Sequence, residues 1–111
     1  MRRLQILSAL SILFTLACSS TEQSYCNKLV QCEAGNDKDR DACVQSWLSR
    51  ARVAADYGCG DAYSNYVTCV DMTSTCSMSM LSSNCNANRD ALDACEAAAS
   101  VRGSRHFLTQ P

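Results

Sequence analysis

The chain has 111 residues with nine cysteines but only two Phe, four Tyr and one Trp. A chain of this length holds one domain, and so many cysteines in so small a protein are typical of a scaffold held by disulfides. The formal net charge is −1 and basic residues do not cluster, which argues against nucleic acid as a partner. Beyond the first segment, no apolar run reaches the roughly 18 residues needed to span a bilayer.

The first seventeen residues have the pattern of a secretory signal peptide. Arg2 and Arg3 give a positive start, and residues 4–16 are uncharged and largely apolar. This apolar stretch is too short to cross a membrane, and the small residue Ala17 ends it. We therefore predict that residues 1–17 are a signal peptide that is removed on export, with retention as an uncut anchor as the lesser alternative.

Cys18 follows this stretch directly, and the run Thr15-Leu16-Ala17-Cys18-Ser19 resembles the lipobox of bacterial lipoproteins. The resemblance implies that the Cys18 thiol receives a diacylglycerol and that the chain is cut just before it. The sequence departs from the lipobox at Thr15, where leucine is usual. Because Ser19 is not the aspartate that signals inner-membrane retention in some enteric bacteria, the resemblance implies an outer-membrane or surface location. A periplasmic or secreted protein without lipid is the alternative.

The number of cysteines agrees with lipidation of Cys18. A sulfur in a thioether cannot join a disulfide, and setting Cys18 aside leaves eight cysteines, an even number, between Cys26 and Cys95. Several acyl chains, at about 0.8 kcal/mol per buried methylene, hold a protein on a membrane almost permanently. The membrane, reached through Cys18, is the first predicted partner.

The mature chain is predicted to be all-α. Residues 18–24 are polar and read as a lipidated tether, residues 25–102 as the disulfide-rich domain, and residues 103–111 as a flexible tail. Strand signals are nearly absent, since no Asn-Gly or Asp-Gly turn occurs. We predict two disulfide-stapled helical hairpins, residues 22–57 and 60–102.

The first hairpin is predicted from its helix signals. Thr21-Glu22-Gln23-Ser24 resembles a capping box that opens a helix to about Glu33. A second helix runs from about Asp39 to Tyr57, and Gly58 closes it. The apolar residues that recur at steps of three and four are expected to face the core: Val44, Trp47, Leu48, Ala51 and Ala55.

The second hairpin begins with a helix capped by Asp61. Residues 73–83 are poor in helix formers, and a last helix follows from about Asn86 to Val101, ended by Gly103. The expected core positions of the first of these helices are Ala62, Tyr66, Cys69, Thr73 and Cys76. Those of the last helix are Leu92, Cys95 and Ala99.

Eight cysteines are predicted to form four disulfides: Cys26, Cys32, Cys43, Cys59, Cys69, Cys76, Cys85 and Cys95. The best single pair is Cys32–Cys43, because Cys32 closes the first helix and Cys43 lies early in the second.

Two nestings compete for the second hairpin. Cys59 to Cys69 and Cys85 to Cys95 have equal spacings, so an antiparallel hairpin allows the bridges Cys59–Cys95 and Cys69–Cys85. This nesting looks like that of twin-CX9C helical hairpins and leaves Cys26–Cys76 to clamp the two hairpins together. The rival nesting joins Cys69–Cys95 and Cys76–Cys85.

Met72, Cys76, Met78 and Met80 gather soft sulfur atoms, which a copper(I) site could use. We favour the simpler interpretation that Met78 and Met80 fill an irregular loop against the core. Zinc is not expected, because no Cys-x2-Cys pair occurs and no histidine stands near a cysteine. No metal site and no cofactor are predicted.

Three tyrosines near the junction of the hairpins, Tyr57, Tyr63 and Tyr66, are candidates for a recognition patch, although packing residues are the commoner outcome at helical spacing. His106 has no serine or cysteine partner that could make it a base, so no catalytic residue is identified. The charged residues of the second helix are interpreted as a solvated face: Lys38, Asp39, Asp41, Arg50, Arg52 and Asp56.

Residues 1–102 as a whole resemble the short, cysteine-rich helical lipoproteins of myxobacteria and related Gram-negative bacteria. The resemblance lies in the runs Tyr25–Cys32 (YCNKLVQC) and Ala91–Cys95 (ALDAC). It implies a location and a fold and adds no mechanism, because that group is largely without assigned activity.

We therefore expect a non-enzymatic cell-envelope lipoprotein that presents a small rigid helical surface to an envelope or surface protein. The alternative from another class is a periplasmic module that binds a small ligand or copper(I). The sequence does not identify any small-molecule partner.

Overall fold

The computed structural model describes residues 20–108, with side chains as far as Gly103. Four helices and one short β-hairpin follow one another along this part of the chain. They are α1 (Thr21–Cys32), α2 (Asp37–Asp56), α3 (Gly60–Thr73), β1 (Thr75–Ser77), β2 (Met80–Ser82) and α4 (Asn86–Leu108). The predicted all-α class with disulfide staples is confirmed. The signal peptide, Cys18 and the last three residues lie outside the described range.

The helices of the first hairpin begin at polar caps. The Ser20 hydroxyl accepts a hydrogen bond from the Gln23 amide at 3.2 Å, so α1 starts at Thr21, inside the segment predicted as a tether. Asn36 and Asp39 form a reciprocal capping box, because each side chain accepts from the other residue's amide. This box starts α2 two residues earlier than predicted.

Both helices of the first hairpin end in a residue with positive φ. Gly58 has φ +71°, and the Cys59 amide bonds the Ala54 carbonyl at 2.7 Å, as a Schellman motif requires. At the end of α1 the left-handed residue is Ala34, with φ +55°, and the following Gly35 donates to the Val30 carbonyl at 2.8 Å. The glycine does not take the left-handed position here.

The core lies where α2, α3 and α4 meet. Its buried residues are Ala54, Cys59, Tyr63, Val67 and Leu92. The predicted faces of α2 and α3 are confirmed in part, because four of the predicted residues are partly buried and pack against this cluster: Trp47, Ala51, Ala62 and Tyr66. The fully buried positions are their neighbours Ala54, Tyr63 and Val67, and Ala55 is exposed. The predicted core position of Leu92 is confirmed. The core contains few large side chains, as expected of so small a domain.

The β-hairpin was not predicted. Its strands pair antiparallel, with Cys76 opposite Leu81 and Ser77 opposite Met80. The two turn residues Met78 and Ser79 have φ of +50° and +61°, which is the backbone of a type I′ turn. Because methionine and serine are not the Asn-Gly pair typical of such turns, the sequence carries no hairpin signal here.

The predicted pair Cys32–Cys43 is wrong, and so is the clamp Cys26–Cys76. The structure pairs Cys26 with Cys43 and Cys32 with Cys76. In an antiparallel hairpin, the end of α1 lies beside the start of α2 at Asp37. Cys43 is six residues further on, about 9 Å along the axis, which places it beside Cys26, six residues before the end of α1.

The second hairpin contains the bridges Cys59–Cys95 and Cys69–Cys85, with Cα atoms 6.0 Å apart in each pair. These are the pairs of the first nesting, and the rival nesting is excluded. The helix α4 runs on to Leu108, so Gly103 does not end it and the first six of the nine residues of the predicted tail are helical. Among residues 20–108, no helix is both long and apolar enough to cross a membrane.

Candidate interaction surface and the disulfide that holds it

Between residues 20 and 103, the most exposed large apolar side chains are three methionines, Met72, Met78 and Met80, which we call the methionine surface. Their exposed fractions are 77%, 97% and 65%. Met72 lies in the last turn of α3, Met78 at the tip of the β-hairpin and Met80 in β2. The prediction that Met78 and Met80 fill a gap against the core is therefore wrong. The two-residue turn carries Met78 away from the helices.

The pleat of the hairpin explains why Met80 faces outward. Successive side chains of a strand point to opposite faces, so Cys76 and its partner Leu81 share one face while Met80 lies on the other. The Cys76 face is bonded to Cys32, the last residue of α1, with Cα atoms 5.7 Å apart. Leu81 is half-buried against this side. The disulfide thus fixes which face of the hairpin is presented to solvent.

An open groove of about 320 Å³ lies between α1 and the hairpin. Its lining residues are Lys28, Gln31, Cys32, Ser74, Cys76 and Leu81. The Lys28 ammonium is 2.7 Å from the Asp71 carboxylate of α3 and also donates to the Asp71 carbonyl. This ion pair fixes α1 against α3 close to the point where the hairpin leaves the helix.

The tyrosines do not form the predicted patch. Tyr63 is a core residue, and Tyr57 is exposed elsewhere, at the end of α2. Trp47 instead contacts the rings of Tyr25, Tyr63 and Tyr66, at centroid distances of 5.5, 6.3 and 5.5 Å. The edge and tilted geometries are those that aromatic pairs prefer. This cluster joins α1, α2 and α3 and is structural.

The Tyr63 hydroxyl ties three helices together. It lies 2.9 Å from Glu22 Oε1 of α1 and 3.0 Å from the Trp47 carbonyl of α2, and its one proton can go to either acceptor. Burial raises the pKa of Tyr63 well above its usual value, and the hydrogen bond and charge of Glu22 raise it further. The pKa of Tyr25 is also raised, first by burial and then by the nearby Tyr66 and Glu33.

The charged face of α2 is only partly solvated. Arg50, predicted to point into solvent, reaches across to α4 and bonds Asp93 at 2.8 Å and Glu96 at 3.0 Å. Glu96 is mostly buried, and its other oxygen has no hydrogen-bond partner within the described part of the chain. Arg50 therefore links the two hairpins, whereas Arg52 is exposed.

The structure limits the metal hypotheses. The Cys76 sulfur is bonded to Cys32, so it cannot serve as a thiolate ligand. Between residues 20 and 103, no group of three His, Cys, Asp or Glu side chains is placed to hold a metal ion. The side chain of His106 lies outside the described residues. Of the soft ligands singled out in the sequence, only the three exposed thioethers remain.

Four disulfides in one small domain indicate an oxidising, extracytoplasmic location, because reducing compartments keep thiols free. No known family model matches the chain, and no curated protein and no solved structure is significantly similar to it.

Proposed function

We propose that the protein is a non-enzymatic lipoprotein of the cell envelope, anchored through Cys18, that presents the methionine surface to another envelope protein. The observation that supports the proposal is that the hairpin carrying Met78 and Met80 is bonded to the end of α1, whereas Cys18 precedes the start of this helix by a few residues in the sequence. Ser20 caps the start of this helix, and Cys32, at its end, is bonded to the hairpin.

The N-terminal sequence supports the anchor. A lipobox-like run places Cys18 two residues before the cap of α1, and the eight other cysteines are all used in disulfides. Cys18 is the one cysteine left for acylation. The similarity to cysteine-rich lipoproteins of Gram-negative bacteria and Ser19 after the cysteine favour the outer membrane or the cell surface.

The geometry of α1 supports a spacer role for this helix. Its twelve residues span about 18 Å, since an α-helix rises 1.5 Å per residue. Cys26–Cys43 fixes the middle of α1 to α2, and Cys32–Cys76 fixes its end to the hairpin. A chain lipidated at Cys18 would hold the methionine surface away from the bilayer on a rigid support.

The chemistry of the methionine surface favours a protein partner. Methionine side chains are flexible and polarisable, and they adapt to apolar surfaces of varied shape. Methionine is also enriched in protein interfaces, where charged residues are depleted at the centre. The hairpin itself carries no charged residue from Thr75 to Ser82.

Metabolic labelling with an alkyne fatty acid in a Gram-negative host tests the anchor. The wild-type chain should be labelled and sediment with membranes. Cys18→Ala should lose both properties, whereas Ser19→Ala should keep them. An unlabelled wild-type chain found in the medium would instead support the secreted alternative.

Site-specific photocrosslinking in intact cells tests the surface. A photoreactive residue at position 78 should give one discrete adduct with an envelope protein, identified by mass spectrometry. The same residue at Gln45, an exposed position of α2, is the matched control. Equal adducts at both positions, or none at position 78, would contradict the proposal.

Copper(I) binding remains the second candidate because three thioethers are exposed in neighbouring parts of the chain. Titration of the oxidised protein with copper(I) under a competing chelator distinguishes it. Binding that is lost in the triple variant Met72→Leu, Met78→Leu, Met80→Leu would favour the metal hypothesis over the docking hypothesis.

A further inference from the structure

We propose that the Cys32–Cys76 disulfide is a thiol–disulfide exchange site that accepts a dithiol reductant, and that its reduction releases the methionine hairpin from α1. This inference does not depend on lipidation or on the identity of a partner. It depends on the position of one bridge among the four.

Burial distinguishes this bridge from the other three. Each of the others has one fully buried cysteine: Cys26, Cys59 and Cys85 have exposed fractions of 0%, 2% and 4%. Cys32 is half-buried and Cys76 is exposed. Exchange requires a thiolate to reach a sulfur, so access controls which bridge reacts first.

The groove beside the bridge gives a reductant room to approach. Both cysteines line the open groove of about 320 Å³ between α1 and the hairpin. Lys28, four residues before Cys32 on the same face of α1, also lines this groove. Its ammonium is held by the Asp71 carboxylate, so access rather than charge distinguishes this bridge.

The exchange balances with a dithiol as the only co-reactant. A thiolate of the reductant attacks Cys76 Sγ, the disulfide breaks, and Cys32 leaves as a thiolate that takes up a proton. The second thiol of the reductant then attacks its own mixed disulfide and releases the Cys76 thiol. Two electrons and two protons pass from the dithiol, which becomes a disulfide.

The consequence is local because the hairpin depends on this bridge. β1 and β2 form a two-stranded sheet of three residues each, which is too small to be stable alone. The disulfide is its covalent link to α1, while α3 and α4 stay joined through Cys59–Cys95 and Cys69–Cys85. Reduction should loosen residues 75–82 and leave the helices in place.

Limited reduction of the oxidised mature protein with dithiothreitol, with samples alkylated over time, tests the proposal. Intact mass and peptide mapping should show a first product with two alkyl groups, on Cys32 and Cys76. This product should form at least about tenfold faster than any later one, given the difference in access. First reduction at another bridge, or simultaneous loss of all four, would overturn the proposal.

Two further measurements sharpen the test. The variant Cys32→Ser, Cys76→Ser should lack the fast step, and Cys26→Ser, Cys43→Ser should retain it. Hydrogen exchange on the singly reduced, alkylated protein should show faster exchange in residues 75–82 and unchanged exchange in α3. Faster exchange throughout the domain would contradict local release. If a variant fails to fold, the reduction kinetics of the wild type still show which bridge is reduced first.

Discussion

The two helical hairpins reach similar shapes by different means. In the first, α1 and α2 begin at side-chain caps supplied by Ser20 and Asn36, and one internal bridge, Cys26–Cys43, joins them. In the second, α3 begins after Cys59, whose side chain does not cap the helix, and two internal bridges join the helices. Cross-links are denser where local helix signals are weaker.

The comparison teaches where the stability of each hairpin comes from. In the chain-entropy view, a bridge closing 16 to 44 residues stabilises by about 3 to 4 kcal/mol, and longer loops give more. A helix cap contributes about 1 kcal/mol. The second hairpin should therefore depend on oxidation more strongly than the first, and five predictions test or sharpen this contrast.

Removing Cys59–Cys95 should have the largest effect. The variant Cys59→Ala, Cys95→Ala should lose about 4 kcal/mol of unfolding free energy, because the bridge closes 36 residues and Cys59 is part of the core. The matched variant Cys26→Ala, Cys43→Ala should lose about 3 kcal/mol. Urea denaturation followed by circular dichroism measures both, and a larger loss from the first hairpin would break the comparison.

Tyr63→Phe should have the next effect, because it loosens the contact between the hairpins. The change leaves Glu22 and the Trp47 carbonyl without their shared donor, at an expected cost of about 1 to 2 kcal/mol. Tyr57→Phe is the control, since Tyr57 is exposed, and it should be nearly neutral. Equal stability of the two variants in thermal and urea unfolding would count against the role of the Tyr63 hydroxyl.

The same residue predicts an alkaline limit. The pKa of Tyr63 is raised in the folded state, so the fold favours its neutral form, and this contribution is complete below the ordinary value of 10.0. It is lost as the pH rises above 10. Wild-type stability should fall between pH 10 and 12, and the fall should be shallower in Tyr63→Phe. Identical pH profiles would contradict this assignment.

The helix ends of the first hairpin offer a paired test of smaller size. Ala34→Gly should stabilise by up to about 1 kcal/mol, because alanine is strained at φ +55°, whereas Gly58→Ala should destabilise by about 1 kcal/mol at φ +71°. Nothing lies within 4 Å of a Cβ added at Gly58, so backbone strain alone sets that effect. Changes of the same sign, read from urea midpoints, would show that another factor dominates.

Arg50→Gln should have the smallest effect. Arg50 is partly exposed, so its pairs with Asp93 and Glu96 contribute about 1 kcal/mol or less after screening. The variant leaves the Glu96 carboxylate without its one described partner. Arg52→Gln, at an exposed position of the same helix, should be neutral. The difference between the variants should shrink in 1 M salt, and a difference independent of salt would point to packing instead.

Much of the fold was predictable because it depends on local signals. Gly58 marks the end of α2, and Leu92 faces the core. The equal spacing of cysteines in the second hairpin allows the two bridges that the structure contains, although it leaves a rival nesting open. The predicted pair Cys32–Cys43 is wrong because Cys43 lies six residues beyond the start of α2, which places it beside Cys26 and not beside the end of α1. Register depends on where α2 starts, which the Asn36 capping box decides.

The methionine surface was missed for a different reason. Methionines in an irregular segment commonly fill gaps in the core, and Met78-Ser79 is not a recognised hairpin turn. The information that the sequence lacks is non-local, because the Cys32–Cys76 bridge determines which face of the hairpin lies against α1. No pattern within residues 73–83 specifies that choice.

The interleaving of Cys26–Cys43 with Cys32–Cys76 has a consequence for maturation. A chain that crosses a membrane N-terminus first exposes Cys26, Cys32 and Cys43 well before Cys76. Cys32 must stay reduced while 44 further residues emerge, or a non-native disulfide that it forms must later be exchanged. Folding of α1 against α2 before Cys76 emerges would favour the Cys26–Cys43 bridge, because their register sets Cys43 beside Cys26. A chain in which Cys32 has already paired with Cys26 or Cys43 would need that bridge exchanged. We expect the yield of native protein to depend on a disulfide isomerase more than on the supply of oxidant.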